Sequence, residues 1–166
     1  MAGRSEDTKS GVQQRVTVRE VTPADFSAWL SLWDGYNAFY GRSGPTALAE
    51  EVTRTTWSWF LGGTEALHAL VATLDERVVG LAHVVVHRST TSVAPVHYLQ
   101  DLYVAADCRG AGVGRTLIEA VYARAQQGGA SRVYWQTHET NAVARRLYDA
   151  LANRSGFIVY RRDLPG

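Results

Sequence analysis

Residues Tyr98 to Leu117 read YLQDLYVAADCRGAGVGRTL. A strand-like run ends near Val104. A loop follows with Arg109, Gly110, Gly112 and Gly114, and a helix leaves it at once. Glycines let backbone N–H groups come close to an anion, and a helix N-terminus adds positive potential. The segment therefore reads as a cradle for a phosphate or pyrophosphate, with Arg109 and Arg115 adding charge. The plain alternative is a glycine-rich turn that only joins a strand to a helix. Two phosphate-binding patterns are excluded. A Walker loop needs a Gly-Lys pair, and the chain has none. The dinucleotide fingerprint fails because Arg115 stands where its third glycine should be.

The chain around this segment alternates elements. Upstream, Arg15 to Val21 (RVTVREV) has strand alternation. Thr22-Pro23-Ala24-Asp25 starts a helix whose apolar face carries Phe26, Trp29, Leu30, Trp33, Tyr36, Phe39 and Tyr40. Thr46 opens a second helix that stops at Gly62-Gly63. Strands are expected over Ala66 to Leu74 and Val78 to His87, joined through Asp75-Glu76-Arg77. Pro95 precedes a third, Val96 to Val104. Val113 to Gln127 is a helix. Arg132 to Thr137 is a strand, Asn141 to Leu151 a helix and Phe157 to Arg162 a last strand. The order β-α-α-β-β-β-α-β-α-β means an α/β fold, a mixed sheet with helices on both faces.

Composition narrows the class. The chain has 166 residues, 17 Lys+Arg against 16 Asp+Glu, and a formal net charge of +1. Apolar residues make up 46% and charged residues 20%. This is a globular domain, expected over residues 15–166, after a tail at 1–14 expected to be disordered. A net charge of +1 makes nucleic acid an unexpected partner. The longest apolar stretch, Val78 to Val86, is far below the ~20 residues that span a bilayer, so no membrane is expected, and the first residues show no signal-peptide pattern. One cysteine, Cys108, makes no internal disulfide and no cysteine-rich zinc site, which points to the cytoplasm. His83 and His87 share a strand face, but no third ligand has matching spacing, so no metal is expected.

Arg109-Gly110-Ala111-Gly112-Val113-Gly114 resembles the Q/R-x-x-G-x-G/A acyl-CoA signature of the GNAT N-acetyltransferase superfamily. It follows the strand LQDLYV, as in that family. Asn141-Ala142-Val143-Ala144-Arg145-Arg146-Leu147-Tyr148, then Gly156-Phe157, is similar to the family's N-x-x-A-x-x-L-Y…G-F segment. LWDGYNAFY (Leu32 to Tyr40) with YLQDLYV resembles the branch holding histone and polyamine acetyltransferases. The resemblance implies acetyl-CoA as co-substrate and direct acetyl transfer to a primary amine: a small molecule, a polyamine or a lysine side chain. Amino-acid or aminoglycoside acceptors, or an acyl-CoA-binding module without turnover, are the alternatives.

By that resemblance, Leu102, Tyr103 and Val104 line the pantetheine and acetyl group. Arg109, Gly110, Ala111, Gly112, Val113, Gly114 and Arg115 hold the pyrophosphate. Asn141 bonds the cofactor arm, and Tyr148 sits by the sulfur as general acid. A phenol can protonate a leaving thiolate, and an N–H near Leu102 to Val104 can stabilise the oxyanion. Read without the family, Tyr148 is a packing residue beside Leu147. Many members of the branch carry a Glu where this chain has Gln100, which accepts no proton. Asp101 is the adjacent carboxylate, but adjacent strand residues face opposite sides; His97, His138, Glu139 or a water chain are the other candidate bases. Tyr36, Phe39 and Tyr40 either join the core or contact the acceptor amine. A homodimer is expected because the last strand, Phe157 to Arg162, would leave an open sheet edge.

Overall fold

The computed structural model describes residues 15–164, so the expectation for residues 1–14 lies outside the described residues. The chain folds as two compact units, one ending at Trp135 and one beginning at Gln136.

The first unit is a five-stranded sheet in the order β1-β2-β3-β4-β5. Its strands are β1 (Val16–Glu20), β2 (Leu67–Leu74), β3 (Arg77–Ser89), β4 (Ser92–Val104) and β5 (Arg132–Trp135). The first three pairings are antiparallel, and β4 with β5 is parallel. The antiparallel ladder follows from short connections. Asp75 and Glu76 alone join β2 to β3, at φ values of 48° and 65°, as a two-residue hairpin turn demands. The parallel pair needs a crossover, and helix α3 (Val113–Gln127) supplies it.

Helices α1 (Phe26–Phe39) and α2 (Glu50–Gly62) cover one face. Their core is aromatic. Trp29, fully buried, lies 4.7 Å from Trp57 and 5.8 Å from Trp33 between ring centroids, over Leu81 of β3. Truncating a buried Trp to Ala costs about 3–5 kcal/mol, so this cluster is a main source of stability. The opposite face takes α3. A Cβ on Gly80 would stand 3.0–3.1 Å from Leu117 Cδ1 and Val113 Cγ1, so the first turn of α3 rests on a bare strand backbone. Leu81 faces the aromatic helices while its neighbour Gly80 faces α3, the alternation that a two-sided sheet requires.

The first helix entry is capped from the side chains. Asp25 accepts from the Thr22 backbone N–H at 2.7 Å, and from both Nη atoms of Arg19 at 2.7 Å. The Arg19 pair, working against burial, holds the Asp25 carboxyl well below the usual carboxylate range.

Two expectations change at the second helix and β4. Thr46 does not open α2. Its hydroxyl donates to Gly41 O and Ser43 O in a short turn, and α2 begins at Glu50. Pro95 lies inside β4 rather than before it. It falls where the ladder to β3 slips, so its missing N–H costs no ladder bond. Among the described residues, no helix is long and apolar enough to cross a membrane.

The second unit carries helix α4 (Ala142–Asp149). Asn141 caps it, its Oδ1 accepting from Ala144 N–H at 3.3 Å. The expected last strand does not form. Phe157, Ile158, Val159 and Tyr160 are exposed and in no ladder. The apolar run met the pattern for a strand, but a strand exists only with a neighbour to bond. The open-edge premise for a homodimer goes with it: β1 and the four-residue β5 are the sheet edges.

Candidate active site

Two features of β4 build the site. The first is where its pairing stops. β5 accompanies β4 only from Val96 to Leu99. Beyond that, the β4 backbone from Gln100 to Val104 has β3 on one side and no β5 residue on the other. Leu102, Tyr103 and Val104, the residues the resemblance assigns to the pantetheine, thus have no β5 partner on that side.

The second feature is a bulge. His83 pairs with Asp101 but Val84 pairs with Leu99, so Gln100 is an extra residue in β4. The bulge reverses side-chain alternation. His97 lies near Gly128 after α3, whereas Asp101 reaches the aromatic face. Gln100 is exposed and Asp101 is buried.

Asp101 Oδ2 is 2.9 Å from His83 Nδ1, and His83 Nε2 accepts from the Trp29 indole N–H at 2.9 Å. Burial, the Asp101 charge and a hydrogen bond to Asp101 push the Tyr36 phenol well above its usual range. Burial and Asp101 also push Tyr40 up. The buried chain Trp29–His83–Asp101–Tyr36 joins the core to the aromatic wall. Of the three aromatics expected there, Tyr36 is buried against Trp33, while Phe39 and Tyr40 are exposed and lie edge to face. Arg42 adds a cation that the sequence reading missed. Its guanidinium lies 5.7 Å from the Tyr36 ring centroid and 5.5 Å from that of Tyr40, with Nε on Asn37 Oδ1 at 2.7 Å. Asn37, Arg42 and Asp34 line a cavity of about 290 Å³.

The glycine loop follows β4. Gly110 and Gly112 both have φ of 82°, and a Cβ on either would meet open space. Gly112 is the N-cap of α3, and the first helical bond is Thr116 N–H to Gly112 O. The N–H groups of Gly112, Val113, Gly114 and Arg115 therefore lack helical partners. Arg109 is anchored beside them, its Nε on Val104 O at 3.2 Å and its guanidinium 5.5 Å from the Tyr103 ring centroid. Arg115 pairs at 3.7 Å with Glu119 on α3. Open space, free N–H groups and positive charge are what a diphosphate needs. Ala111 is exposed between the two glycines. Cys108 lies buried beneath the loop, its Sγ accepting from Arg77 Nη2.

The remaining candidates are placed as follows. Asn141 caps α4, and Tyr148 lies in its last turn, half-buried, its carbonyl accepting from Leu151 and Ala152 N–H. Both belong to the second unit, as do His138, which bonds Thr140 Oγ1, and exposed Glu139. His97 is away from Asp101, with Nδ1 buried and unpartnered, and burial and His68 lower its pKa. His87 bonds Tyr134 at 3.1 Å. Among the described residues, no group of three His, Cys, Asp or Glu could hold a metal ion.

Comparison with known proteins gives concordant matches. The profile of the Acetyltransferase (GNAT) family matches residues 29–152. The chain is 35% identical over 161 residues to the D-amino-acid N-acetyltransferase HPA3 of Saccharomyces cerevisiae, covering 96% of this chain and 98% of that one. It is 32% identical over 120 residues to the aminoglycoside N(6')-acetyltransferase type 1 of Stenotrophomonas maltophilia, covering 68% and 69%. Among solved structures, an aminoglycoside acetyltransferase from an uncultured soil sample, in complex with sisomicin, superposes with a TM-score of 0.77 at 16% identity, over 90% of this chain and 97% of that one.

Proposed function

The chain belongs to the acetyltransferase (GNAT) family and is an acetyl-CoA-dependent N-acetyltransferase; we propose that it passes the acetyl group directly to the amine of a small molecule, with Asp101 as general base and Tyr148 as general acid. The observation that carries the base assignment is the buried Asp101, held by His83 and bonded by Tyr36, on the strand that lines the family's thioester.

Each residue has a defined task. Gly110 to Arg115 bind the diphosphate through backbone N–H groups, and Arg109 adds charge. Ala111 and Val113 contribute only main chain there. The backbone N–H groups of Leu102 to Val104 bind the pantetheine amides and stabilise the oxyanion. Asn141 bonds the cofactor arm. An amine with an ordinary pKa near 10 arrives as an ammonium, which the Asp101 carboxylate attracts. The ammonium first loses one proton to solvent, and the neutral nitrogen then attacks the thioester carbonyl, forming the C–N bond as the C=O electron pair moves onto oxygen. A proton of the nitrogen passes to Asp101 as the nitrogen turns acidic. The C–S bond breaks, and Tyr148 donates its proton to the thiolate.

The acceptor reading is narrower than the family. Tyr36, Phe39 and Tyr40 form an aromatic wall, and Arg42 brings a guanidinium suited to a carboxylate. An amino acid carries both the ammonium and the carboxylate. The 35% identical relative is named for D-amino acids, which supports this class over aminoglycosides, polyamines or lysine side chains. We read residues 15–166 as one domain of a cytoplasmic protein. Exposed Phe157 to Tyr160 support a homodimer even without a strand there. Thiol release on mixing with acetyl-CoA and a panel of D- and L-amino acids, a polyamine and an aminoglycoside tests the acceptor reading. Amino acids giving the highest kcat/KM is the expected result. A polyamine or aminoglycoside ranking first would displace it.

A further inference from the structure

His83 is a buried polar residue with both ring nitrogens engaged, and acetyl transfer has so far given it no task. It is 2% exposed. The Phe60 ring lies 4.5 Å away and Trp33 5.3 Å away between centroids, so the imidazole cannot turn freely. An indole N–H donates and never accepts. The Trp29 bond at 2.9 Å therefore requires a lone pair on His83 Nε2. The ring proton then sits on Nδ1, where it donates to Asp101 Oδ2 at 2.9 Å.

We infer that His83 is a positioning residue for acetyl transfer: Trp29 locks its tautomer, and its Nδ1–H fixes Asp101 Oδ2, leaving the other carboxylate lone pairs to Tyr36 and to the amine. The inference rests on Asp101 being the base. It explains why Asp101 follows a bulge. Were the same residues to run as a regular strand with no bulge at Gln100, Asp101 would share the face of His97 and lose both His83 and Tyr36. It also gives the Trp29 indole a chemical use beyond packing. A hydrogen bond that orients a reacting group typically matters by about 10–100-fold when removed, as for the outer partners of metal ligands.

The test compares His83→Leu, His83→Asn and Asp101→Asn as purified, folded proteins. An Asn amide N–H stands close to where Nδ1–H does, so it can still donate to Asp101. The expected result is that His83→Leu lowers kcat at least about tenfold with unchanged CoA affinity, and that His83→Asn recovers most of the loss. Wild-type kcat in a folded His83→Leu variant, with Asp101→Asn strongly impaired, overturns the positioning role alone. Wild-type turnover in Asp101→Asn overturns the base assignment and this inference with it. If His83→Leu does not fold, the long-range proton–nitrogen NMR spectrum of the wild-type enzyme decides. His83 protonated on Nδ1 at neutral pH is the expected signal, and protonation on Nε2 overturns the lock.

Discussion

His97 and Asp101 stand four residues apart on one strand and face opposite sides of the sheet. In a regular strand they would share a face. The bulge at Gln100 separates them, sending His97 toward the end of α3 and Asp101 to the aromatic wall. The bulge thus decides that Asp101, and not His97, reaches the aromatic face.

The phosphate loop gives the first prediction. Gly112 has φ of 82°, and a β-branched residue there carries a strain of about 1–2 kcal/mol. Relieving that strain turns the N–H groups of the loop away from the diphosphate. Gly112→Val should weaken CoA binding by about tenfold or more, read by calorimetry on the folded variant. Unchanged affinity would remove the cradle from the account.

Tyr148→Phe keeps the ring and removes only the hydroxyl. Turnover should fall by about 10²-fold or more, with little change in CoA affinity. Near-normal turnover would leave Tyr148 a packing residue of α4.

Much of this was legible in the sequence, for identifiable reasons. Helix α3 matched its expected limits, Val113 to Gln127, because apolar periodicity and the flanking glycines agree. The loop from Arg109 to Arg115 was legible as a turn into α3 because glycine at positive φ, here Gly110 and Gly112, leaves a direct mark in sequence. The His83–Asp101 pair was not. It depends on the β3–β4 register, which slips twice between the hairpin turn and His83. Counting from the turn therefore pairs the wrong residues. Arg42 was missed because a cation in a loop reads as solvated, and only folding lays it over Tyr36 and Tyr40. The strand over Phe157 to Arg162 failed because alternation cannot supply a partner.

Arg42 should discriminate among acceptors. Arg42→Gln keeps a polar side chain and removes the charge. KM for an amino acid should rise about tenfold, while KM for the matching amine without a carboxylate should change little. An equal rise for both would make Arg42 a structural support for the tyrosines instead.

Acid should loosen the start of α1. The Asp25 pKa is depressed by Arg19, so its contribution is complete above the ordinary carboxylate range. It is lost as pH falls through the lowered folded value. Asp25→Asn should therefore destabilise the protein by about 1–3 kcal/mol at pH 7. The difference from wild type should shrink as both are titrated below about pH 4. A constant difference across that range in thermal melts would show that the ion pair contributes nothing.

Direct transfer is the central claim, and a single mixing experiment tests it. The enzyme is incubated with acetyl-CoA alone and then with a D-amino acid, while free thiol, acetylated amine and intact protein mass are followed together. Direct transfer predicts an unchanged protein mass throughout and one thiol released per acetylated amine, only once the amine is present. An acetyl group retained on the protein, at Cys108 or elsewhere, or thiol release with no acetylated amine, would contradict it.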